Sequence, residues 1–371
     1  TPCIRLTMMT NRLFWRALSK SKADGYGYAS YRISSGLRHA GLPVSEPEDF
    51  LISDRSKEFD IFVSMQDGLV LEPRMPVQQG DVLVNNCLPV DFKLADCYNV
   101  GFSYWETTKM PGSWIPRLNE CDEIWTTSKW AGDVFKENTG HENVHSFKLG
   151  IESDLFWSNS WIPDEPFTFL HVGSPSTRKN TQMAVDAFMR TYGHRKDFRL
   201  IVKSMGPPDA RIRDSGMNHG AITNHDRIQV IDWELSEPDL ADLYRSAHCL
   251  LYPTMGEGWG MIPFDAIACG TPTICTNATA CTEYAELSVP LDFEWSNEGM
   301  SGIYETGGKW AKPSMDDLVD KMHYVVDNYE EVKQHTLEGA IIIHKDYSWH
   351  NVVQEYKDRI WKILRDQSQA V

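Results

Sequence analysis

The residues best suited to chemistry lie close together between Tyr252 and Thr276, which read Tyr-Pro-Thr-Met-Gly-Glu-Gly-Trp-Gly-Met-Ile-Pro-Phe-Asp-Ala-Ile-Ala-Cys-Gly-Thr-Pro-Thr-Ile-Cys-Thr. The pattern predicts a strand, a glycine-rich turn, a helix from Met261, and a stop at Gly270 and Pro272 before another strand. Gly256, Gly258 and Gly260 allow the backbone to approach a ligand closely, and unpaired amides at the helix start would face an anion. A phosphate-bearing ligand suits that geometry. Glu257 sits in the turn and Asp265 follows eight positions later, about two turns at 3.6 residues each, so both carboxylates could accept hydroxyl hydrogen bonds from one extended ligand. Without the rest of the string, a turn glutamate and a solvent-facing helix aspartate would be the commoner reading.

Cations that could meet such a ligand occur in two places. Arg178 and Lys179 follow the apolar run Phe167-Thr-Phe-Leu-His-Val-Gly173, and Asn180 is expected to N-cap a helix carrying Met183, Ala184, Ala187 and Phe188. A basic pair at a helix N-terminus can bind a diphosphate, although the same pair alone would more often be a solvated surface. Lys203 follows the run Phe198 to Val202, at a strand C-terminus where open α/β sheets place ligands; a plain surface lysine is the competing reading.

The elements that must hold these groups follow from an alternation of short apolar runs with amphipathic stretches, the pattern of parallel sheets covered by helices. In the first half the expected strands are Ile4 to Met9, Phe59 to Met65, Val82 to Asn86, Val100 to Tyr104 and Glu123 to Thr126. A helix beginning near Tyr28 follows the first, with Gly41 as its C′ residue. Two prolines and two acids in Trp161 to Pro166 mark a linker. Further strands are expected at Phe167 to Val172, Phe198 to Val202, Arg227 to Ile231, Cys249 to Tyr252 and Thr273 to Thr276, with Ser236 capping a helix between the last three. A final helix from about His350 places Val352, Tyr356, Ile360, Ile363 and Leu364 on one face. With 371 residues the chain exceeds one ordinary core. The expected division is residues 1–160, residues 161–347, and a C-terminal helix over 348–371 crossing back to the first domain: two Rossmann-like α/β domains facing across a cleft.

The long string resembles the signature of the GT-B glycosyltransferases, specifically their large retaining family 4, in which Glu-Gly-Phe-Gly precedes a glutamate, Ala-Met-Ala, Cys or Ser, Gly, and Thr-Pro. This chain has Glu257-Gly-Trp-Gly260 and then Asp265-Ala-Ile-Ala-Cys-Gly-Thr-Pro272. Trp259 replaces the phenylalanine, and Asp265 replaces the second glutamate, which in the family binds the donor ribose. The block from Phe167 to Asn180 resembles the opening of the family's C-terminal domain, which implies donor-phosphate contact by Lys179; Ser174 stands where an arginine usually follows the glycine at 173, and Arg178 is the candidate to substitute for it. Asp24-Gly25-Tyr-Gly27 resembles the family's glycine-bearing first loop, against donor phosphate and acceptor. Gly101-Phe-Ser-Tyr-Trp-Glu106 and Glu123-Ile-Trp-Thr-Thr-Ser128 resemble its N-terminal domain, which makes Glu106 a candidate for orienting acceptor or sugar, while Ser128 is read as a helix cap.

The resemblance implies a glycosyltransferase that moves a sugar from a nucleoside-diphosphate donor to a hydroxyl acceptor with retention, needing no cofactor and no metal. Glu257, Lys179 and Glu106 are the expected catalytic group, and Gly25, Gly27, Gly173, Arg178, Lys179, Lys203, Gly258, Trp259, Gly260 and Asp265 the expected donor contacts. No Asp-x-Asp motif is present, and the 12 histidines show no metal-ligand spacing. The acceptor is expected to be a glycan, a lipid-linked group or a small molecule. A net charge of −16 opposes a nucleic-acid partner or attraction to anionic lipid, and with no apolar run of transmembrane length stable membrane insertion is not expected. Eight cysteines without a CxxC pair fit buried thiols, and with no apolar leader evident a cytoplasmic location is expected. Competing readings are an epimerase or phosphorylase of the same architecture, a non-catalytic sugar-nucleotide-binding protein, and a transferase acting on hydroxylated DNA bases. Of 13 tryptophans, Trp105, Trp114 and Trp259 lie near the proposed cleft segments; core packing is the expected use of most.

Overall fold

A computed structural model describes residues 11–17, 25–42, 44–45, 77–204 and 225–370. The chain divides into two compact units, one holding the described residues up to Tyr104, Met110–Gly150 and the chain from Trp349, the other holding Trp105–Lys109 and Ile151–Ser348. The second unit therefore begins ahead of the proline-bearing stretch at Trp161 to Pro166.

In the first unit the elements run β1 (Leu13–Ala17), α1 (Gly25–His39), β2 (Val44–Ser45), β3 (Val82–Asn86), β4 (Tyr98–Phe102), α2 (Ile115–Asn119), β5 (Glu123–Thr126), α3 (Lys129–Thr139) and β6 (Val144–Ser146). Its six strands pair in parallel in the order β2-β1-β3-β4-β5-β6. Every residue of β1, β3 and β5 is buried, as strands covered on both faces require. The strands expected at Ile4 to Met9 and Phe59 to Met65 lie outside the described residues. β1 went unanticipated because Arg16 interrupts its apolar run; in the fold Arg16 is buried and donates to Asn85 Oδ1 at 3.2 Å. α1 starts at Gly25 rather than near Tyr28, since first-turn amides lack helical partners whatever the residue and glycine costs little there. It ends as expected: Gly41 has φ +86°, Gly41 N donates to Arg38 O and Leu42 N to Leu37 O. Ser128 caps α3, accepting from Ala131 N at 3.1 Å.

The second unit contains β7 (Phe167–Val172), α4 (Thr181–Thr191), β8 (Phe198–Lys203), β9 (Ile228–Ile231), α5 (Glu237–Ser246), β10 (Cys249–Tyr252), α6 (Met261–Ala268), β11 (Thr273–Thr276), β12 (Val289–Leu291), an antiparallel hairpin of β13 (Phe293–Ser296) and β14 (Trp310–Pro313), α7 (Met315–Asp327) and α8 (Tyr329–Asp346). Ser236 caps α5. Phe169, Phe188, Leu200, Leu251, Ile274 and Leu318 are core residues with no exposed surface. The parallel sheet has the order β12-β11-β10-β7-β8-β9. The chain thus winds outward from β7 to β9, then returns to the other side of β7 with β10. The loops leaving β7 and β10 are neighbours at this reversal, where open α/β sheets take ligands.

The last helix, α9 (Trp349–Ala370), belongs to the first unit. Val352, Tyr356, Ile360, Ile363 and Leu364 are all buried, and the Tyr356 ring lies 4.7 Å from that of Phe147. Among the described residues Cys87, Cys97, Cys121, Cys249, Cys269, Cys275 and Cys281 are free thiols, all buried except Cys97. Among these residues no helix is long and apolar enough to cross a membrane.

Candidate functional site

The turns leaving β7 and β10 are sewn together by backbone. Met255 N donates to Arg178 O at 2.8 Å. Arg178 and Lys179 lie in a 3-10 turn, Thr177–Lys179, whose amide at Lys179 is received by Ser176. The expected N-cap at Asn180 is not formed. Asn180 instead adopts φ 53° and gives α4 no side-chain cap, because the 3-10 turn must be broken before α4 begins and asparagine tolerates the left-handed region. The basic pair therefore precedes α4 on its own turn, which directs both side chains to the β10 turn.

There they meet Glu257. Lys179 Nζ donates to its two carboxylate oxygens at 2.8 and 2.9 Å, and Oε1 also accepts from Thr254 Oγ1 at 2.7 Å and from Tyr252 OH at 3.0 Å. Arg178 Nη1 lies 3.1 Å from Glu257 Oε1 and donates also to Gly256 O. Lys179 Nζ donates to Tyr252 OH as well, at 2.7 Å. Glu257 is 5% exposed. Burial alone would push its carboxyl up, but Lys179 and Arg178 outweigh that and hold it down at about 2. Burial lowers Lys179, opposed by Glu257, whereas Glu257 and Glu106 overcome burial at Arg178 and raise it. The result is a buried, multiply bonded carboxylate with two cations where the turns leaving β7 and β10 meet.

Glu106 joins this cluster from the short segment Trp105–Lys109. Its Oε1 lies 3.6 Å from Arg178 Nη2, and Tyr304 OH donates to Oε2 at 3.3 Å. A Cβ at Gly256 would stand 2.2 Å from Glu106 O, so glycine is what lets this segment lie on the turn. Gly260, with φ +85°, opens α6. The first bond of that helix runs from Phe264 N to Gly260 O, and Pro263 has no N–H, which leaves Met261 and Ile262 as the amides outside its ladder. The Glu257 amide is already engaged by Thr279 Oγ1 at 2.9 Å, so this part of the expected anion-binding turn is committed to the protein.

A family model described as family 4 glycosyltransferase in conflict systems matches residues 127–356, which contain Arg178, Lys179 and Glu257. The chain belongs to that family. Among curated relatives, a GDP-mannose-dependent α-(1-6)-phosphatidylinositol dimannoside mannosyltransferase of Mycobacterium tuberculosis is 24% identical over 44% of this chain and 42% of its own length. The O-antigen chain mannosyltransferase B of Escherichia coli is 38% identical over 31% of this chain and 29% of its own. The chain spans less than half the length of these two relatives. A glycosyltransferase from Rickettsia africae superposes with a TM-score of 0.70 at 12% identity, covering 96% of this chain and 99% of the other. Anabaena HepE, solved in complex with UDP and glucose, gives 0.65 at 10% identity over 94% and 99%. These likenesses establish the GT-B fold.

Around the central cluster of this family member the remaining expected residues take different places. Gly173 lies against Lys179, whose Cβ is 3.3 Å from where a Gly173 Cβ would be, and its amide donates to Lys203 O at 3.0 Å. Lys203 ends β8 and is 7% exposed; burial lowers its ammonium pKa, opposed by Asp232 and Glu234. Gly258 and Gly260 flank Trp259, which is 4% exposed and packs with Phe264, Tyr284 and Tyr347, a core role rather than a free ligand face. Asp265 is not among the groups bonded to Glu257; the ionisations that its charge opposes are those of Tyr244 and Cys269. Gly25 and Gly27 begin α1 in the other unit. Sequence reasoning missed Tyr252, Thr254, Thr279 and Tyr304. The first two stand within the Tyr252 to Thr276 string, as the strand's last residue and a hydroxyl three positions before Glu257, and could have been found there.

Proposed function

We propose that this chain transfers a sugar from a nucleoside-diphosphate donor to a hydroxyl of its acceptor, with retention at the anomeric carbon and without a required metal ion. The observation that carries the reading is the meeting of Arg178 and Lys179 with the buried Glu257 carboxylate where the sheet reverses. Those two cations, with Lys203 and the amides opening α6, supply positive charge for a departing diphosphate, a role that preorganised groups can fill in place of a metal. Glu257 would orient the sugar and stabilise the positive charge that develops at its anomeric carbon. Asp265 would serve the ribose, Gly25 and Gly27 the donor phosphate, and Glu106 the reaction centre through Arg178.

In the reaction, the bond between the anomeric carbon and the donor phosphate oxygen breaks, and the acceptor oxygen bonds to that carbon on the same face. The acceptor's proton passes to the departing phosphate oxygen, so no protein nucleophile is required. The names of a GDP-mannose-dependent relative and of a neighbour holding UDP and glucose support a nucleotide-sugar donor.

The test is a thermal-shift screen with UDP- and GDP-sugars, followed by turnover with pooled hydroxyl acceptors in the presence of EDTA. A donor at one hundred times its Kd should add about 2.7 kcal/mol of stability. Nucleoside diphosphate should then accumulate chiefly when acceptor is added, and Glu257→Ala should abolish it. No shift with any nucleotide sugar, or turnover that survives Glu257→Ala, would overturn the proposal.

A further inference from the structure

The hairpin β13–β14 has no counterpart in the strand–helix alternation, yet its loop reaches the central cluster. It grips the Trp105–Lys109 segment through three hydrogen bonds: Thr108 N donates to Lys309 O at 2.9 Å, Lys309 N to Thr108 Oγ1 at 2.8 Å, and Thr306 Oγ1 to Lys109 O at 2.8 Å. The Tyr304 ring rests 5.3 Å from that of Trp105 and 6.0 Å from that of the buried Trp310. Packed this way, Tyr304 points its hydroxyl at Glu106.

The charge arrangement gives that contact a purpose. Arg178 is only 16% exposed along its side chain and shares Glu257 with Lys179. One carboxylate cannot neutralise two buried cations, and a buried charge without a partner is costly. Glu106 is the second carboxylate. Tyr304 occupies its Oε2, so that Oε1 is the oxygen turned to Arg178 Nη2. If Glu257 is to orient a sugar, it must give up part of its bonding to the cations, and Arg178 then needs a counter-ion that stays.

We propose that Tyr304 and Glu106 are positioning residues that hold the Arg178 guanidinium for the donor's diphosphate, an inference that rests on the donor-site reading above. Tyr304 acts only through Glu106, and Glu106 only through Arg178. The hairpin thereby sets the angle at which Arg178 would meet the diphosphate.

The experiment is a double-mutant cycle read in the Kd for UDP and GDP by calorimetry and in donor KM against kcat. It uses the full chain, Tyr304→Phe, Arg178→Met and the double variant. Tyr304→Phe keeps the ring against Trp105 and Trp310, so its melting temperature should match that of the parent. Its nucleoside-diphosphate affinity should fall about fivefold, the net worth of one typical hydrogen bond. In the Arg178→Met background the same change should have no effect. If Arg178→Met does not fold, the cycle between Tyr304→Phe and Glu106→Gln replaces it, with the expectation that Tyr304→Phe adds nothing to Glu106→Gln. Losses that add in full, or a Tyr304→Phe protein that binds and turns over like the parent, would overturn the positioning role alone. A parent protein that binds neither diphosphate would instead remove the donor-site reading, and this inference with it.

Discussion

Lys179 Nζ stands within hydrogen-bond distance of both carboxylate oxygens of Glu257, 2.8 and 2.9 Å away, although 78 positions separate the two residues in the chain. The sheet order makes this possible, because β7 and β10 are adjacent and a backbone hydrogen bond from Met255 N to Arg178 O joins their following turns. Glu257→Gln preserves shape but removes the counter-charge from two buried cations. It should cost about 3–5 kcal/mol of stability, the usual result of breaking a buried pair from one side. Turnover should fall by at least about a hundredfold, as when one preorganised electrostatic group is lost. Chemical denaturation and steady-state rates with a nucleotide sugar check the two effects separately.

Stability should also depend on pH through two buried imidazoles. His171 Nδ1 lies 2.9 Å from Leu251 O and Nε2 3.0 Å from Thr181 Oγ1, so the neutral ring joins β7 to β10 and α4, donating from Nδ1 and accepting at Nε2. Burial pushes His171 and His248 down from 6.5 to about 4. Between those values the unfolded chain binds protons that the folded chain does not, so stability rises with pH there and is lost as pH falls from 6.5 toward 4. Glu257, held at about 2 against an ordinary 4.5, adds a further loss only below 4.5. Melting temperatures across pH 4 to 8 should show the upper limb first, and His171→Gln should flatten it. A melting temperature that stays level from pH 6.5 to 4 would refute this.

How much of this was readable from the chain differs by element. Phe167–Val172, Cys249–Tyr252 and Thr273–Thr276 are short apolar runs bounded by turn residues, and local pattern alone fixes their limits. Glu257 and Lys179 stand out because glycines and a basic pair mark the two turns. Asn180 misled because asparagine serves equally as an N-cap and as a left-handed residue, and only the preceding 3-10 turn decides between them. Tyr304 left no signal. It reaches Glu106 across 198 positions by way of a hairpin, a tertiary relationship that periodicity does not encode.

A second buried carboxylate secures the last helix. Glu123 has no exposed surface and accepts from Tyr98 OH at 2.9 Å, Trp125 Nε1 at 2.8 Å and Arg359 of α9. Burial would raise its pKa, but Arg359 and the other two donors lower it. Arg359→Met leaves that carboxylate buried without a cation, at a cost of about 3–5 kcal/mol. Hydrogen exchange should quicken in α9 and in β5, while α6 and β10 of the other unit keep their protection. Equal loss of protection throughout both units would contradict this assignment.

Gly256 supplies the sharpest steric test of the site. Its φ is not in the left-handed region, so alanine is acceptable to the backbone, and the obstacle is purely the Glu106 carbonyl oxygen 2.2 Å from the added Cβ. That atom belongs to main chain and cannot rotate away. Gly256→Ala must therefore displace Trp105–Lys109 or the turn itself, at about 1–3 kcal/mol by the usual cost of overpacking. Moving either one stretches the Arg178 to Glu106 contact, so donor turnover should fall more than the stability loss accounts for. Gly140→Ala is the matched control: it has φ +69° with nothing within 4 Å of the new Cβ, so it should cost about 1 kcal/mol of backbone strain and leave turnover unchanged. If the two variants lost the same stability and the same activity, the close approach of Glu106 to the turn would not be what Gly256 is there to permit.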